Sequence, residues 1–359
     1  MKYRISLVIL TLIALSCKKD PPVNSSVSLD ETPYDLATGG FPPPPIAPDN
    51  VLTVQKVRLG RMLFYEKKLS GDNSQSCASC HRQEHAFTDT ARFSIGVLGF
   101  PGKRQAMSSF NMAWNTNEFF WDGRAHLLRD QSLLPIQDSL EMHETLPNVV
   151  DKLQADPKYR DQFVRAFGTD EISSEKIALA LEQFMNSIVS VNSKYDRFLA
   201  GLETLTESEA RGKKLFFTEY NQFFPDSSGA DCAHCHSGLN FSNNQYMNNG
   251  MDSDPDMTDF GREKATMDPM DRGKFKVVSL RNIAVTAPYM HDGRFSTLEE
   301  VIEHYNSGLK ASTTLDQALE QTRGTGLMLS PQDKADLKAF LLTLTDDDLL
   351  TNPDYASPF

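Results

Sequence analysis

The sequence is short of positive charge and of long apolar runs, and each shortage excludes a class of protein. Its 359 residues carry 36 Lys and Arg against 48 Asp and Glu, a formal net charge of −12. Nucleic acids and anionic membrane surfaces bind basic faces, so neither is an expected partner. After the first segment, no apolar stretch approaches the roughly 18 residues of a membrane-spanning helix, and long alternating strand patterns are absent as well.

The amino-terminal segment has the pattern of an export signal. Two basic residues precede an apolar run over Ile5–Leu15, which is too short to span a bilayer but fits a signal peptide. The following Ser-Cys pair is similar to a bacterial lipoprotein cleavage site, although Ala14 stands where Leu is usual. We expect residues 1–17 to direct export to the periplasm or cell envelope and Cys17 to carry the only membrane anchor, a lipid. A plain signal peptide is the alternative.

Composition and repeated landmarks divide the rest of the chain. Residues 18–50 are rich in Pro, Ser, Asp and Gly, which predicts a tether. The landmarks LGRMLF, CASCH and FWDGR occur in order within residues 51–200, and RGKKLF, CAHCH and MHDGR follow in the same order within residues 201–345. This order predicts two domains related by internal duplication. Residues 346–359 begin with three Asp and are predicted to form a solvated tail rather than a metal site.

Helical patterns dominate both predicted domains. The apolar spacing over residues 172–199 predicts one helix that stops before Gly201. Capping-box patterns begin at Thr206 and Thr297, and Ser330 followed by Pro predicts the start of a further helix. The sequence therefore predicts an all-α fold with long loops rich in Asn, Asp and Gly.

Four of the five cysteines lie in two Cys-x-x-Cys-His pentads, the attachment signature of c-type haem. The residues are Cys77, Cys80, His81, Cys232, Cys235 and His236. In each pentad two thiols can reach the vinyl groups of one porphyrin, and the imidazole that follows then lies under the iron. A four-cysteine zinc site would place its pairs about 15–20 residues apart, and a thioredoxin-like pair explains neither the histidine nor the repetition. We therefore predict two covalently bound haems in two c-type cytochrome domains.

The order of these motifs resembles the bacterial dihaem cytochrome c peroxidase family, which includes the MauG-type enzymes, over nearly all of residues 51–345. The most specific stretch is FWDGRA, which contains Trp121, followed by Gln131, Pro135 and Glu141. The resemblance implies that Trp121 lies between the haems and relays electrons, and that the other three line the distal pocket of the N-terminal haem. A carboxylate in a dry pocket can move the proton that peroxide cleavage requires. The alternatives are a solvated Glu141 and a Trp121 that only packs in the core.

The loop after the first pentad departs from many of the family's peroxidases, which carry there a histidine that caps the peroxidatic iron. Residues 86–120 contain no histidine, and His85 is too near the pentad to reach the opposite face. We therefore expect the N-terminal haem to be five-coordinate as made, with His81 on one face.

Tyr305 marks a second departure, because the family's peroxidases have Met at this position and MauG-type enzymes have Tyr. One helix face is shared by Leu298, Val301, Ile302 and Tyr305. The resemblance implies that Tyr305 is an axial ligand of the second haem. The alternative is a core tyrosine bonded to a carbonyl, and His304, Met290 and Met328 are weaker ligand candidates.

The resemblance also suggests a calcium ion between the domains, held in the family by an Asn side chain and two backbone carbonyls. Thr286 and Pro288 occupy the carbonyl positions, but Gln105 stands at the Asn position. A Gln oxygen also suits a hard cation, so calcium is left open.

As a function, the resemblance implies reduction of hydrogen peroxide at the His81 haem. Electrons would come from a cytochrome c or cupredoxin through the His236 haem and Trp121. A phenolate ligand lowers the haem potential relative to a thioether, which favours a second hypothesis, a MauG-like enzyme that oxidises a protein side chain. Against it, Trp114 and Trp121 are the only tryptophans, so the C-terminal half lacks the MauG-type surface Trp. A non-catalytic electron carrier is the third hypothesis, and a homodimer is left open.

Overall fold

The computed structural model describes residues 27–224 and 227–359, and within them the chain is mostly helical with little sheet. The helices are α1 (Val54–Tyr65), α2 (Cys77–Cys80), α3 (Leu128–Gln137), α4 (Leu146–Gln154), α5 (Pro157–Phe167), α6 (Ser174–Ser187), α7 (Lys194–Leu199), α8 (Glu207–Phe217), α9 (Glu263–Thr266), α10 (Leu298–Glu303), α11 (Gln317–Glu320), α12 (Pro331–Leu342) and α13 (Asp347–Thr351). Strands β1 (Tyr246–Met247) and β2 (Phe275–Lys276) pair antiparallel. The predicted signal peptide and Cys17 lie outside the described residues. In the described part of the chain, no helix is long and apolar enough to cross a membrane.

The core of the first half forms where α1 crosses α6. Gly60 allows the close approach, because a Cβ atom there would overlap the carbonyl of Ala180. One turn later, the buried ring of Phe64 meets Phe184 with centroids 5.3 Å apart. The loop that leaves α1 then leads into α2, so this crossing positions the first pentad.

The core of the second half forms where α8 crosses α12 in a similar way. A Cβ atom at Gly212 would overlap the carbonyl of Asp336. The buried ring of Phe216 lies 5.3 Å from that of Phe340. Each LGRMLF-type landmark therefore supplies both the glycine at a helix crossing and the aromatic ring behind it.

The prediction of one helix over residues 172–199 was wrong, since α6 and α7 are separate. The backbone between them bonds to distant side chains instead of continuing the helix, as when Ser190 N donates to Asn111 Oδ1 at 2.8 Å. Ser193 then begins α7 with a capping box that includes Asp196. This broken connection carries the chain from the first half to the second.

The predicted helix starts are confirmed. Thr206 caps α8 and Thr297 caps α10, each in a capping box with a glutamate three residues on. Ser330 caps α12, where Pro331 occupies the first turn.

The predicted tether packs against the body over residues 27–50. Phe41 is buried and meets the Trp114 ring edge-on at 5.0 Å, and Trp114 Nε1 donates to the carbonyl of Pro42 at 2.7 Å. Asn50 is also buried and donates to Glu182 at 2.6 Å. The tether prediction was wrong for these residues because a proline-rich segment can still supply single anchoring side chains.

The predicted solvated tail also packs against the first half. Asp346 is 2% exposed and accepts hydrogen bonds from the backbone N–H groups of Val191 and Asn192, so the prediction was wrong at this residue. Further on, Tyr355 is buried with its ring 6.4 Å from that of Phe87. The acidic residue therefore satisfies backbone donors in the connection between α6 and α7.

Candidate functional site

The first pentad places two thiols and one imidazole at the end of α2. His81 Nδ1 lies 2.9 Å from the carbonyl of Phe87, so an N–H there donates to that oxygen and Nε2 is left for a metal. Burial lowers the pKa of His81, which keeps the ring neutral, as a metal ligand must be. Removal from water raises the pKa of the Cys77 thiol to about 12 and also raises that of Cys80.

The second pentad repeats this geometry. His236 Nδ1 lies 3.0 Å from the carbonyl of Phe241, and burial lowers the pKa of His236. Removal from water raises the pKa of Cys232 and of Cys235 to about 12. These residues line a cavity of about 290 Å³, whose apolar walls come from α8, α10 and α12.

Both pentads fit covalently attached haem. All four thiols are free of disulfides, each pair lies beside a neutral imidazole, and the second pair faces an apolar cavity. Among residues 27–224 and 227–359, no cluster of three or more His, Cys, Asp or Glu side chains offers an alternative metal site. The donor set, one imidazole with two thiols beside it, is the one that c-type haem uses.

Glu141 lies in a turn that folds back on α3. Met142 N donates to the carbonyl of Pro135 at 3.2 Å, which fixes the turn against the helix. Removal from water, with a smaller contribution from Asp138, raises the pKa of Glu141 to about 7. After burial and the neighbouring Cys80, the Glu141 charge also contributes to the raised pKa of Cys77, and it contributes to that of Cys80 as well, so the carboxyl lies near the first pentad. Gln131 and Pro135 stand one turn apart on α3, and the carbonyl of Pro135 is the one that accepts from this turn.

The loop over residues 95–100, where the family's capping histidine is missing, lies against the Glu141 turn. Val97 N donates to the carbonyl of Glu141 at 2.9 Å. A Cβ atom at Gly96 would stand 2.7 Å from the same oxygen and would overlap the carbonyl of Leu140. The loop therefore holds the backbone of Glu141 in place, and only glycine fits at its closest approach.

Gly96→Ala is expected to lower the free energy of unfolding by about 1–3 kcal/mol, because two backbone segments must separate. It should also slow the reaction with peroxide by displacing Glu141. Thermal unfolding and stopped-flow absorption measure the two effects. Gly102→Ala is the control, since its Cβ would make only ordinary contacts, the nearest at 3.6 Å. Equal behaviour of the two variants would contradict this role of Gly96.

Trp121 lies where the two halves meet. Trp121 lines the cavity of the second pentad, and its Nε1 donates to the carbonyl of Gln105 at 2.8 Å. The segment that begins with Gln105 runs on to Ser109, whose Oγ is 3.3 Å from His81 Nδ1. On its other side Trp121 meets the ring of His291, with centroids 6.5 Å apart. The Trp121 side chain thus lines the cavity of the second pentad and is hydrogen-bonded to the segment that reaches His81 of the first pentad.

An ion-pair network around Trp121 was not predicted from the sequence. Arg104 lies 2.7 Å from Asp122 and 2.7 Å from Asp259, and so ties the first half to the second. The ring of Phe275 stacks on His291 at 3.6 Å, and burial lowers the pKa of His291 to about 4. No local pattern marks these pairs, because the partners are far apart in sequence.

Tyr305 follows α10 in a π-helical turn, and its side chain lines the second cavity with His236. Removal from water raises the pKa of Tyr305 to about 12. Among the weaker candidates, Met290 lines the same cavity, whereas the His304 ring is tied at 2.9 Å to a backbone carbonyl and Met328 is 51% exposed.

The three residues considered for calcium lie near one another. Thr286, Pro288 and Gln105 all line the second cavity. The Gln105 amide nitrogen donates to Thr88 Oγ1 at 2.8 Å, which leaves the amide oxygen as the end that suits a cation.

Two c-type haem attachment motifs, one of them near a carboxyl group with a raised pKa, define a dihaem c-type cytochrome. The chain belongs to the dihaem cytochrome c peroxidase and MauG family. A family model described as di-haem cytochrome c peroxidase matches residues 54–204. The protein is accordingly an oxidoreductase that acts on peroxide, and its family implies two c-type haems.

Individual relatives support the same family membership. The chain is 33% identical over 298 residues to the methylamine utilization protein MauG of Methylophilus methylotrophus, covering 82% of this chain and 84% of the relative. It is 35% identical over 268 residues to the cytochrome c551 peroxidase of Nitrosomonas europaea, covering 72% and 76%. A solved structure described as a MauG-like protein associated with microbial copper homeostasis superposes with a TM-score of 0.82 at 36% identity, covering 90% of this chain and 99% of that one.

Proposed function

We propose that the protein reduces hydrogen peroxide to water with two electrons from a small redox protein, a cytochrome c or a cupredoxin. The observation that carries this proposal is Glu141, a carboxyl group near the first pentad, in a turn fixed against α3 and the loop over residues 95–100, whose pKa is raised to about 7 by removal from water. Such a group can accept and release a proton near neutral pH. An electron carrier needs no such group beside its haem.

In the proposed mechanism, haem held by Cys77, Cys80 and His81 would supply the electrons that reduce peroxide. Glu141 would take a proton from one peroxide oxygen and return it to the oxygen that leaves as water. Gln131 holds the peroxide by hydrogen bonds without titrating, and Pro135 closes the pocket wall. Trp121 passes electrons from the second site to the first.

The pH dependence tests the role of Glu141. Because the carboxylate is the form that accepts the proton, the rate of reaction with peroxide should rise as the pH rises through about 7. Asp138 contributes to the raised pKa of Glu141, so Asp138→Asn should move the midpoint to lower pH. Stopped-flow absorption at several pH values measures both. The same midpoint in Glu141→Gln would assign the titration to another group.

One experiment separates the three functions left open by the sequence. Stoichiometric peroxide is added to the purified protein, the absorption spectrum is followed, and a reduced cytochrome c or cupredoxin is then added. Fast oxidation of the donor supports the peroxidase. No spectral change would leave only the electron carrier.

A MauG-like enzyme that oxidises a protein side chain is the second candidate, favoured by Tyr305 in the cavity of His236. A phenolate ligand would lower the potential of the second haem and make it a poor store for an incoming electron. This candidate predicts a long-lived oxidised protein with little donor turnover in the same experiment.

We further propose the organisation expected from the sequence: two domains from one duplicated unit, export to the periplasm or cell envelope, and a lipid at Cys17. The matched glycine crossings at Gly60 and Gly212 support the duplication. Calcium held by Gln105 with the carbonyls of Thr286 and Pro288 is part of this proposal. The net charge of −12 favours a basic electron donor.

A further inference from the structure

In the cavity of the second pentad, one side-chain amide lies beside two atoms that are candidate ligands of the second haem. Asn249 Nδ2 is 3.4 Å from Met290 Sδ and also 3.4 Å from Tyr305 Oη. All three residues line the cavity that contains His236. Because an amide nitrogen carries two N–H groups, Asn249 can donate to the sulfur and to the phenol oxygen at the same time.

The loop that carries Asn249 is fixed on both sides. The carbonyl of Asn249 lies 2.9 Å from Nε2 of the buried His304 ring. The neighbouring Asn248 side chain is buried and donates to the hydroxyls of Ser312 and Thr314, each at 2.9 Å. The amide is thus held at a defined place in the cavity wall.

The turn that carries Met290 matches a turn of the first half in sequence, but the two arginines make different contacts. In the matching turn of the first half, the Arg124 guanidinium lies 3.6 Å from the ring centre of Phe120, the residue that corresponds to Met290. In the second half Arg294 is instead bound to the carboxylate of Asp252 at 2.9 Å. Met290 itself lines the cavity, with its sulfur beside Asn249.

We propose that Met290 is a second axial ligand for the haem at His236, held in reserve by Asn249 while Tyr305 is bound, and that it replaces Tyr305 when this haem is reduced. The inference rests on the ligation by Tyr305 expected under the proposed function. In the exchange, one electron from the donor reduces the iron. The bond from iron to the phenolate oxygen breaks, that oxygen takes one proton from solvent, and a bond from iron to the Met290 sulfur forms.

The chemistry of the two ligands gives the exchange its direction. An anionic phenolate stabilises oxidised iron, whereas a soft thioether favours reduced iron and raises the haem potential. Asn249 supports the first state in two ways, since its N–H groups stabilise the phenolate and engage the sulfur lone pair. The second haem would then have a low reduction potential while Tyr305 is bound and a higher one once Met290 has replaced it.

Carbon monoxide tests the reserve ligand in the reduced holoprotein, because it binds reduced haem only where a coordination position is open. The wild type should bind one carbon monoxide per protein, at the His81 haem, and Met290→Leu should bind two. Met328→Leu is the matched control, since its side chain is 51% exposed and should leave the count at one. Two carbon monoxide molecules bound by the wild type, or one by Met290→Leu, would overturn the inference.

A second measurement uses the oxidised protein, and its first arm, Tyr305→Phe alone, leaves Met290 in place. Tyr305→Phe should show the sulfur-to-iron charge-transfer band of Met-ligated haem, and Tyr305→Phe combined with Met290→Leu should lose it. A Tyr305→Phe protein with a five-coordinate second haem would overturn the reserve-ligand inference while leaving Tyr305 as a ligand. Wild type without a phenolate-to-iron band would instead refute the ligation by Tyr305 itself.

Discussion

Glu141→Gln is expected to slow the reaction of the oxidised protein with peroxide by about 10²-fold or more, the usual contribution of a positioned acid–base group. The amide keeps the size of the side chain and can still form hydrogen bonds, but it cannot accept the proton that must move between the peroxide oxygens. Stopped-flow absorption of the first haem, with peroxide in excess, measures the rate directly.

The control for this variant is Glu84→Gln, an exposed glutamate in the same half of the chain. It replaces a carboxyl group by an amide in the same way and should leave the rate unchanged. The removal from water that raises the pKa of Glu141 also predicts that Glu141→Gln folds as well as the wild type, because a neutral side chain suits this environment. An unchanged rate in Glu141→Gln would remove Glu141 from the mechanism.

Trp121→Phe is expected to slow electron delivery from the donor without slowing the reaction with peroxide. Donor-driven turnover should fall at least about tenfold, equivalent to ~1.4 kcal/mol in the barrier, because phenylalanine is far harder to oxidise and cannot donate to Gln105. The reaction of the first haem with peroxide should keep its rate, since Glu141 and its loop are untouched. Steady-state donor oxidation and single-turnover absorption report the two rates on one sample.

Trp114→Phe is a matched control, because it changes the chain's other tryptophan. Trp114 is buried among Phe41 and its neighbours in the first half, where its Nε1 donates to the carbonyl of Pro42. This variant should lose some stability and keep donor turnover. If Trp121→Phe lost only stability, in the manner of Trp114→Phe, then Trp121 would be a packing residue.

The local patterns of the sequence predicted the parts of the fold that depend on neighbouring residues. The pentads place each imidazole next to its thiols, and the capping boxes at Thr206 and Thr297 depend on residues three apart. Both kinds of contact are fixed by spacing along the chain, so they can be read without knowing the fold.

Contacts between distant residues account for what the sequence did not predict. The break between α6 and α7 depends on Asn111 and Asp346, which accept hydrogen bonds from its backbone and lie 79 residues before Ser190 and 155 residues after Val191. Asn249 likewise acquires its neighbours only when its loop meets the turn after α10. Neither residue type favours such a role by itself, so sequence spacing carries no signal for it.

The packing of residues 346–359 against the first half sets an order of events during synthesis. Gln83, two residues after the first pentad, donates to the carbonyls of Leu349 and Asn352, and the Tyr65 hydroxyl donates to that of Tyr355. These contacts beside the first pentad therefore form only after residues 349–355 have been synthesised. The chain is translated from its amino terminus, so the first pentad stays open to the machinery that attaches haem for longer than its place in the sequence suggests. A stop codon shortly before residue 346 would then leave the first haem site, rather than the last, incompletely folded.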